Sequence, residues 1–317
     1  MNIVILDAYC CNPGDLNWDG LKQLGEVTVH ERTKAYQVIE RSHEADILIV
    51  NKVNIGEEEM KQLPRLKFVT VLGTGYNSID VVAARKHGII VSNAPNYSTE
   101  SVAQTVFAHL LNVANRTQHY VMQNREGEWS RRSDYCFWNT PLIEVSGKTM
   151  GIIGLGNIGM RVATIAHAFG MNVLAVTSKK QEDLPKGITK ASMEEMLQTS
   201  DVVSLHCPLT EQTERIIQKK TLEQMKRGAI LINTGRGPLV DETDVEEALN
   251  SGLLAAYCAD VMCQEPPQAD HPLLKNPHAY VTPHIAWATR EARDRLINLT
   301  IDNVRAFCEG KPQNVVS

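Results

Sequence analysis

Residues 148–176, KTMGIIGLGNIGMRVATIAHAFGMNVLAV, contain the feature that most restricts the fold of this chain. Gly154, Gly156 and Gly159 form G-x-G-x-x-G where a short apolar run meets an amphipathic stretch, which then leads into a second apolar run ending at Val176. Each glycine has its own role at this spacing. The first permits a tight turn, the second removes a side chain where a pyrophosphate approaches the backbone, and the third lets helix and strand pack closely. Asn157 and Ile158 lie inside the turn, where the unpaired N–H groups of the helix N-terminus face an anion. Three glycines alone are a weak signal. Set between a strand and a helix that leads to another strand, they make a dinucleotide the expected ligand.

The position after the second strand, 18 residues beyond Gly159, is where such a fold usually carries an acid that accepts hydrogen bonds from the adenine ribose. This chain has Thr177, followed by Ser178, Lys179 and Lys180. A carboxylate would repel a 2′-phosphate, whereas a small hydroxyl with two lysines accepts hydrogen bonds or neutralises charge. The segment therefore leans toward NADP(H), or toward use of both NADP(H) and NAD(H). Two other readings stay open: the lysines form a solvated turn, or Glu182 or Asp183 folds back to do the acid's work.

Around this unit the chain alternates. NIVIL, VTVH, DILIV, KFVTVL and GIIVS occupy the first hundred residues with mostly polar helical patterns between them, the rhythm of a parallel sheet flanked by helices. Residues 98–123 carry apolar side chains at helical spacing, with Val102, Val106, Leu110 and Val113 on one stripe, and predict one long helix joining two domains. The polar and aromatic stretch that follows, to about residue 148, has no periodicity and reads as an excursion between domains or subunits. At 317 residues the chain exceeds what one core usually serves, so two domains are expected.

Composition removes whole classes of function. Hydrophobic residues make up 43% and charged residues 22%, and a net charge of −5 gives no reason to expect nucleic acid or an acidic membrane as partner. The N-terminus has no basic leader and no run is long enough to span a membrane, which predicts a cytoplasmic protein. Seven scattered cysteines without a CxxC pair indicate neither a disulfide framework nor a thiolate zinc site, and are expected to be buried small apolar side chains. No cluster has the ligand spacing of a metal site.

A second series of strand-like runs follows the glycine motif, each ending in a polar cluster: DVVSLHCPLT (201–210), GAILINTGRG (228–237), LAAYCADVMCQEP (254–266) and AYVTPHIAWAT (279–289). In a doubly wound sheet the carboxyl ends of strands line the ligand crevice, so Arg236, Glu265 and His284 are candidates for one site. His206, beside Cys207 and Pro208, is expected to line the cofactor crevice, with proton chemistry as the alternative. Cys207 is not expected to act as a nucleophile.

GLGNIG, HCPLT, INTGRG, DVMCQEPP, HPLL and TPHIAWAT, in this order and spacing, resemble the D-isomer-specific 2-hydroxyacid dehydrogenase family over essentially the whole chain. NPGDLNWD, VLGTGYNSID and the tryptophan of HIAWAT resemble the branch that acts on glycerate and hydroxypyruvate. The resemblance implies two doubly wound α/β domains, Rossmann- and flavodoxin-like, with the active site in the cleft between them. Residues 1–98 with 287–317 would form a discontinuous substrate domain, and 99–286 the dinucleotide-binding domain. It further implies a cofactor site that includes Thr234 and Asp260, a carboxylate cradle at Leu72, Gly73, Thr74, Gly75 and Tyr76, and a homodimer. Trp138 would then either reach a neighbouring subunit's pocket or act as a local hydrophobic staple.

The chemistry suits those residues. Reducing a 2-keto acid requires holding a carboxylate, polarising the adjacent carbonyl and supplying a proton as hydride arrives. Arg236 can do the first two with a planar fork that keeps its charge. His284 suits the third, with Glu265 favouring its imidazolium and fixing its tautomer. The expected activity is therefore NAD(P)H-dependent reduction of hydroxypyruvate, and of glyoxylate, reversible as D-glycerate dehydrogenase. The alternative is a dinucleotide-sensing, corepressor-like relative without turnover, against which the intact Arg236, Glu265 and His284 argue.

Overall fold

The computed structural model describes residues 1–317 and divides into two compact units, Met1–Ser98 with Trp287–Ser317, and Thr99–Ala286. The first unit holds strands β1 (Asn2–Ile5), β2 (Glu26–Val29), β3 (Ile47–Val50), β4 (Phe68–Val71) and β5 (Ile90–Ser92) in one parallel sheet of order β2-β1-β3-β4-β5. Every residue of β3 and β4 is buried, as a central parallel strand covered on both faces requires. Alternation sorts them: Ile3, Ile47, Ile49 and Phe68 join one core, and Val4, Leu48, Val50 and Val69 the other.

The first of those cores explains why the chain returns to this unit at its end. Helix Arg290–Cys308 lays Ala292, Leu296, Ile297, Ile301 and Val304 against it, and Phe307 stacks on Phe68 with ring centroids 4.5 Å apart. Thr289 caps the helix by accepting from the Ala292 N–H, and Gly310, at φ 73°, follows its end.

The second unit contains β6 (Thr149–Ile153), β7 (Asn172–Val176), β8 (Ile188–Lys190), β9 (Val202–Leu205), β10 (Ala229–Asn233), β11 (Leu254–Ala259) and β12 (Ala279–Val281). Their order, β12-β11-β10-β9-β6-β7-β8, is parallel throughout. The chain runs outward from β6 through β7 to β8, then crosses back to β9 and runs the other way. Strand order therefore reverses between β6 and β9, the place where such a sheet opens a crevice at its carboxyl ends. The short edge strand β8 has no counterpart among the sequence expectations, because ITK has no apolar run to signal it.

Two expectations are corrected. Residues 98–123 form two helices, Thr99–Asn115 and Thr117–Arg125, since Arg116 turns left-handed at φ 51° and the Ala114 carbonyl accepts from the Ile143 N–H of the returning chain. The stripe Val102, Val106, Leu110 and Val113 is buried, but the second helix buries nothing. Of the cysteines, all are free but only Cys11 and Cys258 are buried, while Cys10 and Cys263 are exposed. No helix is long and apolar enough to cross a membrane.

Candidate active site

The glycine turn follows β6. Gly154 has φ 92°, and a Cβ there would lie 2.5 Å from the Cys207 nitrogen, so this glycine serves both the turn and the close passage of the segment leaving β9. At Gly159 a Cβ would come within 2.1 Å of the Gly154 carbonyl oxygen. At Gly156 it would meet nothing within 4 Å. The middle glycine, the N-cap residue, thus faces open space at the start of helix Asn157–Ala168. At the end of β10 the buried Thr234 hydroxyl has no hydrogen-bond partner in the protein. An open glycine at a helix N-terminus and an orphaned buried hydroxyl both fit a bound dinucleotide.

After β7, Thr177 Oγ1 accepts from the Lys179 N–H at 3.2 Å and so closes the turn locally. Gln181 fastens that turn to the edge strand, donating to the Ile188 carbonyl at 3.1 Å and accepting from the Lys190 N–H at 2.6 Å. Lys190 Nζ donates to the Lys179 carbonyl at 2.6 Å. Lys190, which sequence reasoning passed over, therefore adds a third lysine ammonium to the turn. Ser178, Lys179 and Lys180 are exposed, and Glu182 lies 3.8 Å from Lys180 on the surface.

His206 follows β9 with its ring nitrogen Nε2 2.9 Å from Ser204 Oγ, and its Cβ would touch a Cβ at Gly159. Burial pushes the imidazole down to about 4, so it is neutral near pH 7 and packs against the glycine turn. Burial also raises the Cys207 thiol above its ordinary value. Pro208 contributes only its carbonyl, which accepts from the Thr213 hydroxyl at 2.6 Å.

The ends of β10, β11 and β12, neighbours in the sheet, carry the remaining groups. Buried Asn233 shapes the loop of Arg236: its Nδ2 donates to the Arg236 carbonyl at 2.9 Å and its Oδ1 accepts from the Gly235 N–H at 3.0 Å. The half-buried guanidinium donates to the Gly235 carbonyl at 2.8 Å and pairs with no carboxylate. A Cβ at Gly237 would collide with the Met262 carbonyl at 2.1–2.2 Å, so this glycine lets the arginine loop press against the segment that carries Glu265.

Glu265 accepts the Met262 N–H at 3.1 Å with one oxygen, and its other oxygen lies 2.6 Å from His284 Nδ1. His284 has φ 56°, a conformation that costs a non-glycine residue energy and persists only when its surroundings impose it. Asp260 does the imposing. Its buried carboxylate accepts from Thr282 Oγ1 at 2.6 Å, the Ile285 N–H at 2.9 Å and the Ala286 N–H at 2.7 Å, on both sides of the histidine. Asp260 is therefore committed to the His284 segment, a role that its sequence position did not reveal. His109 and Glu242 carry no sequence signal either: the former has its Nε2 3.3 Å from Thr282 Oγ1, and the latter accepts from the Cys263 N–H at 2.8 Å.

In the first unit, the loop after β4 is held through its carbonyls. Leu72 is a core residue whose N–H donates to Val50 and whose carbonyl accepts from Asn51 Nδ2, and the Gly73 N–H donates to Val71. The N–H groups of these two residues are engaged within the protein. The N–H groups of Thr74, Gly75 and Tyr76 make no hydrogen bond within the protein.

A strand-turn-helix dinucleotide site with Arg236, Glu265 and His284 on adjoining strand ends agrees with what is known of similar chains. Residues 107–286 match the model of the D-isomer specific 2-hydroxyacid dehydrogenase NAD binding domain. Over 321 aligned positions, 100% of both chains, the sequence is 45% identical to a hydroxypyruvate reductase of Blautia hydrogenotrophica.

The chain belongs to the D-isomer specific 2-hydroxyacid dehydrogenase family.

This dehydrogenase is also 40% identical to a glycerate dehydrogenase of Methylorubrum extorquens, covering 88% of each chain. A solved acyclic imino acid reductase in complex with NADPH and D-Arg superimposes with a TM-score of 0.88 at 32% identity, covering 100% of both chains. The family supplies the cofactor class, NAD(P)(H), and the residues present fit it.

Proposed function

We propose that the dehydrogenase reduces hydroxypyruvate, and also glyoxylate, to the D-2-hydroxy acid, and runs in reverse as a D-glycerate dehydrogenase. The observation that carries this reading is the 2.6 Å contact of His284 with Glu265, on strand ends adjoining an arginine that no carboxylate neutralises. The relatives named hydroxypyruvate reductase and glycerate dehydrogenase support the substrate class.

A nicotinamide dinucleotide held at the Gly154–Gly159 turn would supply hydride to C2 of the keto acid. Arg236 pairs with the carboxylate and donates to the C2 carbonyl oxygen, where negative charge grows. His284 gives that oxygen a proton, Glu265 holds the imidazole by Nδ1 so that Nε2 faces the substrate, and Asp260 holds the Thr282 hydroxyl before it and the Ile285 and Ala286 N–H groups after it. The N–H groups of the 74–76 loop, which make no hydrogen bond within the protein, are suited to a carboxylate. In the oxidative direction neutral His284 takes the proton back.

The turn Thr177–Lys180 favours NADP(H): it offers a hydroxyl and lysines where an acid would repel the 2′-phosphate, and Lys190 beneath it adds charge. Initial rates with hydroxypyruvate at several concentrations of NADPH and NADH test both parts. A higher kcat/KM with NADPH that reverses in Thr177→Asp is expected. An NADH advantage in the wild type would make the lysines a solvated turn, and no turnover with either cofactor would sink the substrate assignment.

The reading includes a homodimer. Helix Thr117–Arg125 buries no side chain, and Trp129, Tyr135, Trp138 and Leu142 in the segment after it are 51–88% exposed. Trp138, at 67% exposed, is no local staple, and a second copy of the chain is the cover proposed for this apolar face. Light scattering on the eluted protein should give twice the chain mass.

A further inference from the structure

The loop after β4 presents three N–H groups in a row, and the cause lies in its carbonyls. In a trans peptide the C=O of one residue and the N–H of the next point in opposite directions, so a donor that captures the carbonyl also aims the following N–H. The only cis peptide in the chain is Glu265–Pro266, far from this loop in sequence. The Gly73 carbonyl accepts from the Ala94 N–H at 2.9 Å, which turns the Thr74 N–H away. The Thr74 carbonyl accepts from Asn93 Nδ2 at 2.7 Å, which does the same for the Gly75 N–H.

Asn93 is itself fixed. Its carbonyl accepts from Asn303 Nδ2 at 2.8 Å, and its N–H donates to the Asn314 carbonyl at 3.1 Å. Asn303, fully buried on helix Arg290–Cys308, also donates to Thr70 Oγ1 at 3.3 Å and accepts from Asn314 Nδ2 at 2.8 Å. A buried primary amide with both donors and its acceptor occupied is a rigid joint, since leaving any of them unmade is costly. The side chain of Asn93, 8% exposed, thus carries the order of a buried amide network to one peptide plane of the loop.

We propose that Asn93 is a positioning residue for the reduction: by holding the Thr74 carbonyl it aims the Gly75 N–H at the carboxylate of the keto acid. The inference rests on the reading of this loop as the carboxylate cradle, and the test separates the two. Holoenzyme saturated with NADPH is assayed with hydroxypyruvate and titrated with oxalate as a carboxylate probe, in the wild type, Asn93→Ala, Asn93→Leu and Gly75→Pro.

Loss of one aimed donor is expected to raise KM and the oxalate dissociation constant about tenfold in both Asn93 variants, with kcat within about twofold and NADPH affinity unchanged. Gly75→Pro, which deletes the N–H itself, should do the same. Asn93→Leu keeps the branched side-chain shape without the donor, so it serves if the alanine variant fails to fold. Unchanged KM and oxalate binding in the Asn93 variants, with both weakened in Gly75→Pro, would overturn the role of Asn93. No change in any variant would overturn the cradle as well. A parallel loss of NADPH affinity and kcat would make Asn93 a merely structural residue.

Discussion

The two units end their strands in different kinds of chemistry. At the carboxyl ends of β10, β11 and β12 the second unit offers side chains: a guanidinium, a carboxylate and an imidazole, with Asn233 and Asp260 bonded to the backbone that carries them. After β4 the first unit offers backbone N–H groups, and side chains such as Asn51 and Asn93 serve only to turn the peptide planes. Side-chain chemistry depends on residue identity, so it survives in a motif. Backbone chemistry depends on where carbonyls are held, and almost any residue can supply the N–H.

Substitutions sharpen this contrast, beginning with the side-chain end. Arg236→Ala should lower kcat/KM for hydroxypyruvate by about 10³, because the donor to the developing oxyanion and the carboxylate partner disappear together. Near wild-type turnover in steady-state assays would remove the arginine from the mechanism. His284→Ala should cost about 10² in kcat while the NADPH dissociation constant stays within about twofold, as expected for a general acid. Lost cofactor binding would point instead to a structural histidine.

The glycine turn separates backbone reach from packing. Gly159→Ala drives a methyl against the Gly154 carbonyl and should destabilise the protein by about 1–3 kcal/mol in urea unfolding. Gly156→Ala faces open space, so without cofactor it should unfold within about 0.5 kcal/mol of the wild type, yet bind dinucleotide more weakly. Equal stability losses in both would contradict the distinction.

His206 gives an effect confined to acid pH, and its sign follows from burial. Its folded value, about 4, lies below the ordinary value of 6.5, so the unfolded chain binds more protons between these limits and stability falls as pH drops through that window. Because the ring is only partly screened from solvent, about 1–2 kcal/mol between pH 6.5 and 5 is expected. His206→Asn should flatten that part of the pH dependence of urea unfolding, and an unchanged slope would place the titration elsewhere.

Most of the architecture was legible because its signals are local. Four-residue apolar runs mark β3 and β4, and the G-x-G-x-x-G spacing marks the crevice, since each reports a period or a turn confined to neighbouring residues. The failures were equally physical. One continuous stripe from 98 to 123 hid the break at Arg116, which depends on a chain segment returning near Ile143. The ITK strand exists because β7 and Gln181 hold it, and not through any pattern of its own.

In the candidate site, sequence alone determined which side chains are present and that Arg236, Glu265 and His284 all follow strands. Residue type and a parallel-sheet rhythm suffice for that. Tertiary structure alone decided that Asp260 grips the histidine segment, that Lys190 joins the 177–180 turn, and that the donors of the 72–76 loop begin at Thr74. Each of those facts is a hydrogen bond, or its absence, between groups distant in sequence, and no local pattern records which carbonyl a distant donor will hold.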